Sequence, residues 1–64
     1  MTVTEAENYI GKTCKIIWRD RFGREQEVRT YIYKLGYVPL YGTYILGDTE
    51  DVFLTKVVKI QPLD

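Results

Sequence analysis

The stretch that decides the fold is Thr13-Cys-Lys-Ile-Ile-Trp-Arg19, Asp20-Arg-Phe-Gly23, Arg24-Glu-Gln-Glu-Val-Arg-Thr-Tyr-Ile-Tyr33. Two alternating runs flank a short turn that ends in glycine, the signature of a β-hairpin. By period two, Cys14, Ile16 and Trp18 share one face of the first run, and Thr13, Lys15, Ile17 and Arg19 the other. In the second run Val28, Thr30 and Ile32 oppose Glu25, Glu27, Arg29, Tyr31 and Tyr33. The apolar sets are expected inside. Asp20-Arg21-Phe22-Gly23 suits a type I turn, with aspartate at its start and Gly23 free to take positive φ.

Outward from the hairpin the chain reads as short elements. Thr4-Glu5-Ala6-Glu7 fits a capping box, Thr4 at N-cap and Glu7 at N3, and predicts a helix over about Glu5 to Ile10 stopped at Gly11. So short a helix is stable only when packed, here through Ala6, Tyr9 and Ile10. Past Tyr33, Gly36 marks a bulge or bend, and Pro39 belongs on an edge or in a loop. Thr43 to Leu46, Asp51 to Leu54 and Val58 to Gln61 read as three further strands. A polar turn precedes the second of these, a 3₁₀ turn at Thr55-Lys56-Val57 precedes the third, and Pro62 stops it. Phe53, Val57, Val58 and Ile60 are expected to complete the core.

Sixty-four residues make one domain, residues 1–64. A domain of this size buries about 60% of its unfolded surface, and its stability should be roughly 3–10 kcal/mol. Self-association is a natural way to bury more. Short strands at close spacing, in so small a chain, predict a mostly β fold: a five-stranded small barrel with a short N-terminal helix.

The same order of elements resembles the SH3-like and Sm-like small barrels: a short helix, a long hairpin, a bent strand, Val52-Phe53-Leu54, a one-turn segment and a last short strand. The run Ile17-Trp18-Arg19-Asp20-Arg21-Phe22-Gly23, then Arg29, then Tyr44-Ile45-Leu46, also resembles the barrel of bacterial WYL domains. The Trp-Tyr-Leu triplet of those domains is only partly echoed in Tyr44-Ile45-Leu46, and the short Sm signatures are absent. The resemblance implies a fold and no ligand.

Composition narrows the chemistry. There is no histidine, which removes the commonest general base and most transition-metal sites. A single cysteine builds neither a zinc site nor an internal disulfide. The five glycines are spaced as turn punctuation, without a phosphate loop. Asp48-Thr49-Glu50-Asp51 lacks the spacing and central glycine of a calcium loop. No enzyme activity, cofactor or small-molecule ligand is expected. Nine bases balance nine acids, so long-range attraction to polyanions is small, as is repulsion between copies. No signal peptide and no apolar run of membrane-spanning length is seen, so a cytoplasmic protein without membrane contact is expected.

The remaining signal is aromatic and basic. Five of the six tyrosines fall between Tyr31 and Tyr44, and bases dominate Lys12 to Arg24. Tyrosine and arginine are enriched at protein interfaces; aromatics beside arginine also suit single-stranded nucleic acid. Arg19, Arg21, Arg24, Arg29, Tyr31, Tyr33 and Tyr41 are therefore the candidate partner-binding residues. A protein partner or a second copy is expected, with nucleic acid as the alternative.

Overall fold

In the computed structural model, which describes residues 1–63, the order is α1 (Val3–Glu7), β1 (Thr13–Arg19), β2 (Glu25–Val38), β3 (Gly42–Gly47), β4 (Val52–Phe53), a 3₁₀ turn η1 (Leu54–Lys56) and β5 (Val57–Pro62). The protein is mostly β. Five antiparallel strands form one sheet in the order β4-β3-β2-β1-β5, with β4 and β5 as its ends.

The long strand β2 holds the sheet together. Its first part pairs with β1, from Thr13 opposite Tyr31 to Arg19 opposite Glu25. Its second part pairs with β3, from Ile32 opposite Gly47 to Val38 opposite Gly42. The register shifts between Ile32 and Lys34, so the irregularity sits at Tyr33 and not at Gly36. Gly36 has a different task. It faces Tyr44 across the β2–β3 ladder, and a methyl group there would overlap the Tyr44 ring, which lies on the bare backbone. The glycine in mid-strand provides a slot for an aromatic ring on the outer surface.

Alternation predicts the inner face of the hairpin well. Cys14, Ile16, Thr30 and Ile32 are buried, and Trp18 and Val28 pack against them. Ala6, Ile45, Val52 and Leu54 join the same cluster, with Tyr9, Leu35, Val57 and Ile60 at its margin. Fully burying one such aliphatic side chain is worth about 1.5–3 kcal/mol, and among the described residues seven buried apolar ones carry this core. Two expected members are absent. Val58 is 48% exposed; in β5 its neighbours Val57 and Ile60 turn toward the core instead. Phe53 is half-buried on the outer surface, its ring 5.7 Å from that of Tyr44 and 6.0 Å from that of Tyr41.

The helix lies two residues earlier than the Thr4–Glu7 box predicts. Thr2 is the N-cap and Glu5 its N3 partner, and both reciprocal bonds are made. The Glu5 amide donates to Thr2 Oγ1 at 3.1 Å, and the Thr2 amide to Glu5 Oε1 at 3.2 Å. Two overlapping Thr-x-x-Glu boxes compete here, and the earlier one leaves Ala6 facing the core at 1% exposure. Ile10 remains 40% exposed. Pro62 does not stop β5 but forms its last residue, opposite Cys14.

Candidate functional site

Two aspartate-led turns frame the outward face of the hairpin. In the β1–β2 turn, Asp20 Oδ1 accepts from the Phe22 amide at 2.8 Å and from the Arg24 amide at 3.0 Å. Asp20 Oδ2 accepts from Gln26 Nε2 at 3.1 Å. The Gly23 amide donates to the Asp20 carbonyl at 3.0 Å, and Gly23 takes φ +80° as the sequence requires. The bond from the Arg24 amide, with those from Gln26 and Phe22, holds the Asp20 carboxyl below its ordinary value of 3.8.

In the β3–β4 turn, Asp48 reaches across the sheet. Its Oδ1 accepts from the Tyr31 amide at 2.9 Å, from Thr30 Oγ1 at 3.0 Å and from Thr49 Oγ1 at 3.2 Å. The Thr30 hydroxyl in turn accepts from the Thr49 amide at 3.1 Å, and Thr30 is 1% exposed. Its buried hydroxyl is thus used in both directions. The Tyr31 amide, followed by the Thr30 hydroxyl, lowers the Asp48 carboxyl below 3.8. The acidic turn is therefore a structural clamp on β2. Nothing in local sequence spacing marks Thr30 as its partner, because the two lie eighteen residues apart.

Clamped in this way, β2 presents its outward residues in order. Glu25, Glu27, Arg29, Tyr31 and Tyr33 are all exposed. Tyr31 and Tyr33 meet edge to face with ring centroids 5.1 Å apart, 37% and 55% exposed. Arg29 lies directly opposite Lys15 on β1, and neither makes an ion pair among the described residues. Arg19 pairs with Glu25 at 3.6 Å.

At the tip, Phe22 is 66% exposed. Arg21 and Arg24 stand over its ring, their guanidinium carbons 5.0 and 5.1 Å from the centroid, within cation–π range. Arg24 also pairs with Asp20 at 3.7 Å. Behind the tip, Ile17, Glu25, Gln26 and Glu27 line a shallow open hollow of about 230 Å³. Ile17 explains it: this apolar residue stands on the outward face between Lys15 and Arg19, a break in the alternation visible in the sequence.

The predicted residues thus form two groups and one outlier. Arg19, Arg21 and Arg24 gather at the tip, and Arg29, Tyr31 and Tyr33 on the outer face. Tyr41 belongs elsewhere: its ring packs against Phe53 of the β3–β4 half, and it is 67% exposed beside Leu40 at 91%. Phe22 at the tip and Ile17 in the hollow lie on the same surface and are not among the predicted residues. Trp18 has the expected core-side position, with its Nε1 buried and without a hydrogen-bond partner among the described residues. Among the same residues no cluster of three His, Cys, Asp or Glu is arranged to hold a metal, and no helix is long and apolar enough to cross a membrane.

Comparison with known proteins finds no matching family model, no matching curated protein and no matching solved structure.

Proposed function

We propose that this chain is a small non-catalytic interaction module that binds a protein partner or a second copy of itself through the outer face and tip of the β1–β2 hairpin. One observation carries the reading. The Tyr31–Tyr33 pair is held exposed beside Arg29 on a strand that the Asp48–Thr30 clamp makes rigid. Rigid aromatics bind at little cost in side-chain entropy, and tyrosine and arginine dominate interface hot spots. A photo-crosslinking residue placed at Tyr33 should trap a defined protein or a second copy, and Arg29→Glu should abolish the adduct. Equal labelling from Tyr33 and from exposed Thr55 on η1 would refute it.

A second reading has its own support. Like charges directly opposite on antiparallel strands destabilise a sheet, and Lys15 faces Arg29. An anionic strand of nucleic acid, with bases on the tyrosines and phosphates between the two cations, would relieve that repulsion. Titration with single-stranded oligonucleotides at two salt concentrations tests it; binding that ignores salt, or no binding at micromolar protein, excludes it.

We further read the bent sheet as a small SH3-like or Sm-like barrel. The support is the strand order, β2 shared between both halves, and η1 standing between the two end strands β4 and β5. Amide exchange in β5 as slow as in β1 would agree with closure; rapid exchange throughout β5 would not. The buried single cysteine suits a reducing cytoplasm.

A further inference from the structure

The tip and the hollow behind it are complementary. The tip offers an exposed phenyl ring flanked by two guanidinium groups. The hollow offers an apolar floor, Ile17, beside two carboxylates, Glu25 and Glu27. We propose that two copies of this chain associate by exchanging hairpin tips: Phe22 of each copy enters the Ile17 hollow of the other, and Arg21 meets Glu27. This names the partner for the interaction-module reading and rests on it.

Size, charge and geometry all bear on the choice of a second copy. The hollow is a shallow, open depression of about 230 Å³, wide enough to seat one ring against Ile17 between charged neighbours. Neither Arg21 nor Glu27 has an ion-pair partner among the described residues, whereas Arg19–Glu25 and Arg24–Asp20 are engaged within the copy. Lys59 lies opposite Ile17 on the β5 side and makes no ion pair with either carboxylate. The tip is also pre-formed. Three hydrogen bonds to Asp20 fix the backbone around Phe22, so little ordering is lost on docking.

Phe22 precedes Glu25 and Glu27 by three and five residues, so ring and hollow lie at the same end of the hairpin. A two-fold axis between them lets both contacts form at once, as an isologous dimer requires. The contact area is small, so the dimer is of the weak class below about 1,200 Å², sensitive to salt and seen at high concentration. With zero net charge on the chain, no long-range repulsion opposes it.

Sedimentation velocity on the full chain, from about 10 μM to 1 mM at low and high salt, tests this. A weight-average mass rising toward twice the monomer is expected, less steeply at high salt. Phe22→Ala, Arg21→Glu and Glu27→Arg should each weaken association about tenfold or more while leaving the thermal midpoint near that of the parent. The double variant Arg21→Glu with Glu27→Arg has the parent's net charge and should restore the dimer. A strict monomer at 1 mM, or a double variant no better than its parts, overturns the exchange. So does a dimer that survives Phe22→Ala but is lost in Tyr31→Ala with Tyr33→Ala; that result would relocate the interface to the outer face and leave the module reading intact. Loss of the Tyr33 crosslink with the dimer intact would instead remove the outer face from that reading and leave the tip.

Discussion

The two polar turns each hold an aspartate and a glycine, and the two aspartates behave differently in the fold. Asp20-Arg-Phe-Gly23 closes on itself: its carboxylate bonds reach two, four and six residues along the chain. Asp48 instead ties the β3–β4 turn to Thr30 and Tyr31, eighteen and seventeen residues away. Their glycines differ in the same sense. Gly23 is required by its φ of +80°, with nothing within 4 Å of where a methyl would stand. Gly47 is required for space: a methyl there would overlap the Thr30 hydroxyl and lie 2.6 Å from the Glu50 carbonyl. One turn is a local device that presents a tip, and the other is a tertiary joint that stiffens the strand behind it. A local device can change with little effect on the rest of the fold. A joint cannot.

That contrast can be broken most sharply at the glycines. Gly47→Ala should cost about 3 kcal/mol, because a buried, doubly bonded hydroxyl and a backbone carbonyl must both move. Gly23→Ala should cost only about 1–2 kcal/mol, the penalty of a left-handed residue with a Cβ. Urea denaturation of both variants compares them directly, and equal losses would abolish the distinction.

Next in size is the hydroxyl that Asp48 holds. Thr30→Val keeps the shape of the side chain but leaves the Thr49 amide without its acceptor and takes one of three donors from Asp48 Oδ1. It should cost about 2 kcal/mol, or roughly 4–8 °C in melting midpoint per kcal/mol for a domain of this size. The matching change in the local turn, Gln26→Leu, removes only an exposed bond to Asp20 and should stay within about 0.5 kcal/mol.

Acid titration sharpens the comparison further. Both carboxyls are held below their ordinary value of 3.8 in the fold. The unfolded chain therefore binds the proton first as pH falls. The stabilisation is complete above the ordinary carboxyl range and is lost as pH drops below 3.8 through the folded values. Melting midpoints measured from pH 6 to about pH 2.5 should fall steeply at the acid end. Asp48→Asn should flatten that fall more than Asp20→Asn, since Asp48 carries a long-range joint. The reverse order would show the hairpin turn to be the more important of the two.

Much of the fold was legible from residue pattern. The first strand's limits at Thr13 and Arg19, the inward set Cys14, Ile16, Thr30 and Ile32, and the Asp20–Gly23 turn all follow from period-two alternation and turn chemistry, whereas the second strand runs on past the expected end at Tyr33 to Val38. The basic tip and the outward Arg29, Tyr31 and Tyr33 follow from the same alternation. What escaped were contacts between elements. Helix position depended on which of two equivalent Thr-x-x-Glu boxes placed Ala6 on the core. Phe53 lies outside the core because Val52, opposite buried Ile45, takes the inward position and turns Phe53 to the outer face beside Tyr44. Tyr41 left the tyrosine face because its connection belongs to the other half of the sheet.

The sequence by itself determined which residues alternate, where the chain turns and which side chains carry charge. These are properties of neighbours a few residues apart, set by backbone geometry and side-chain chemistry. Only the tertiary structure decided that Asp48 grips Thr30, that Ile17 floors a hollow ringed by Glu25 and Glu27, and that Phe22 stands clear of its own copy between two arginines. The grip and the hollow depend on residues brought together by strand register, and the clear ring on what the fold leaves uncovered. Neither can be read from spacing along the chain, and the surfaces proposed for binding are built from them.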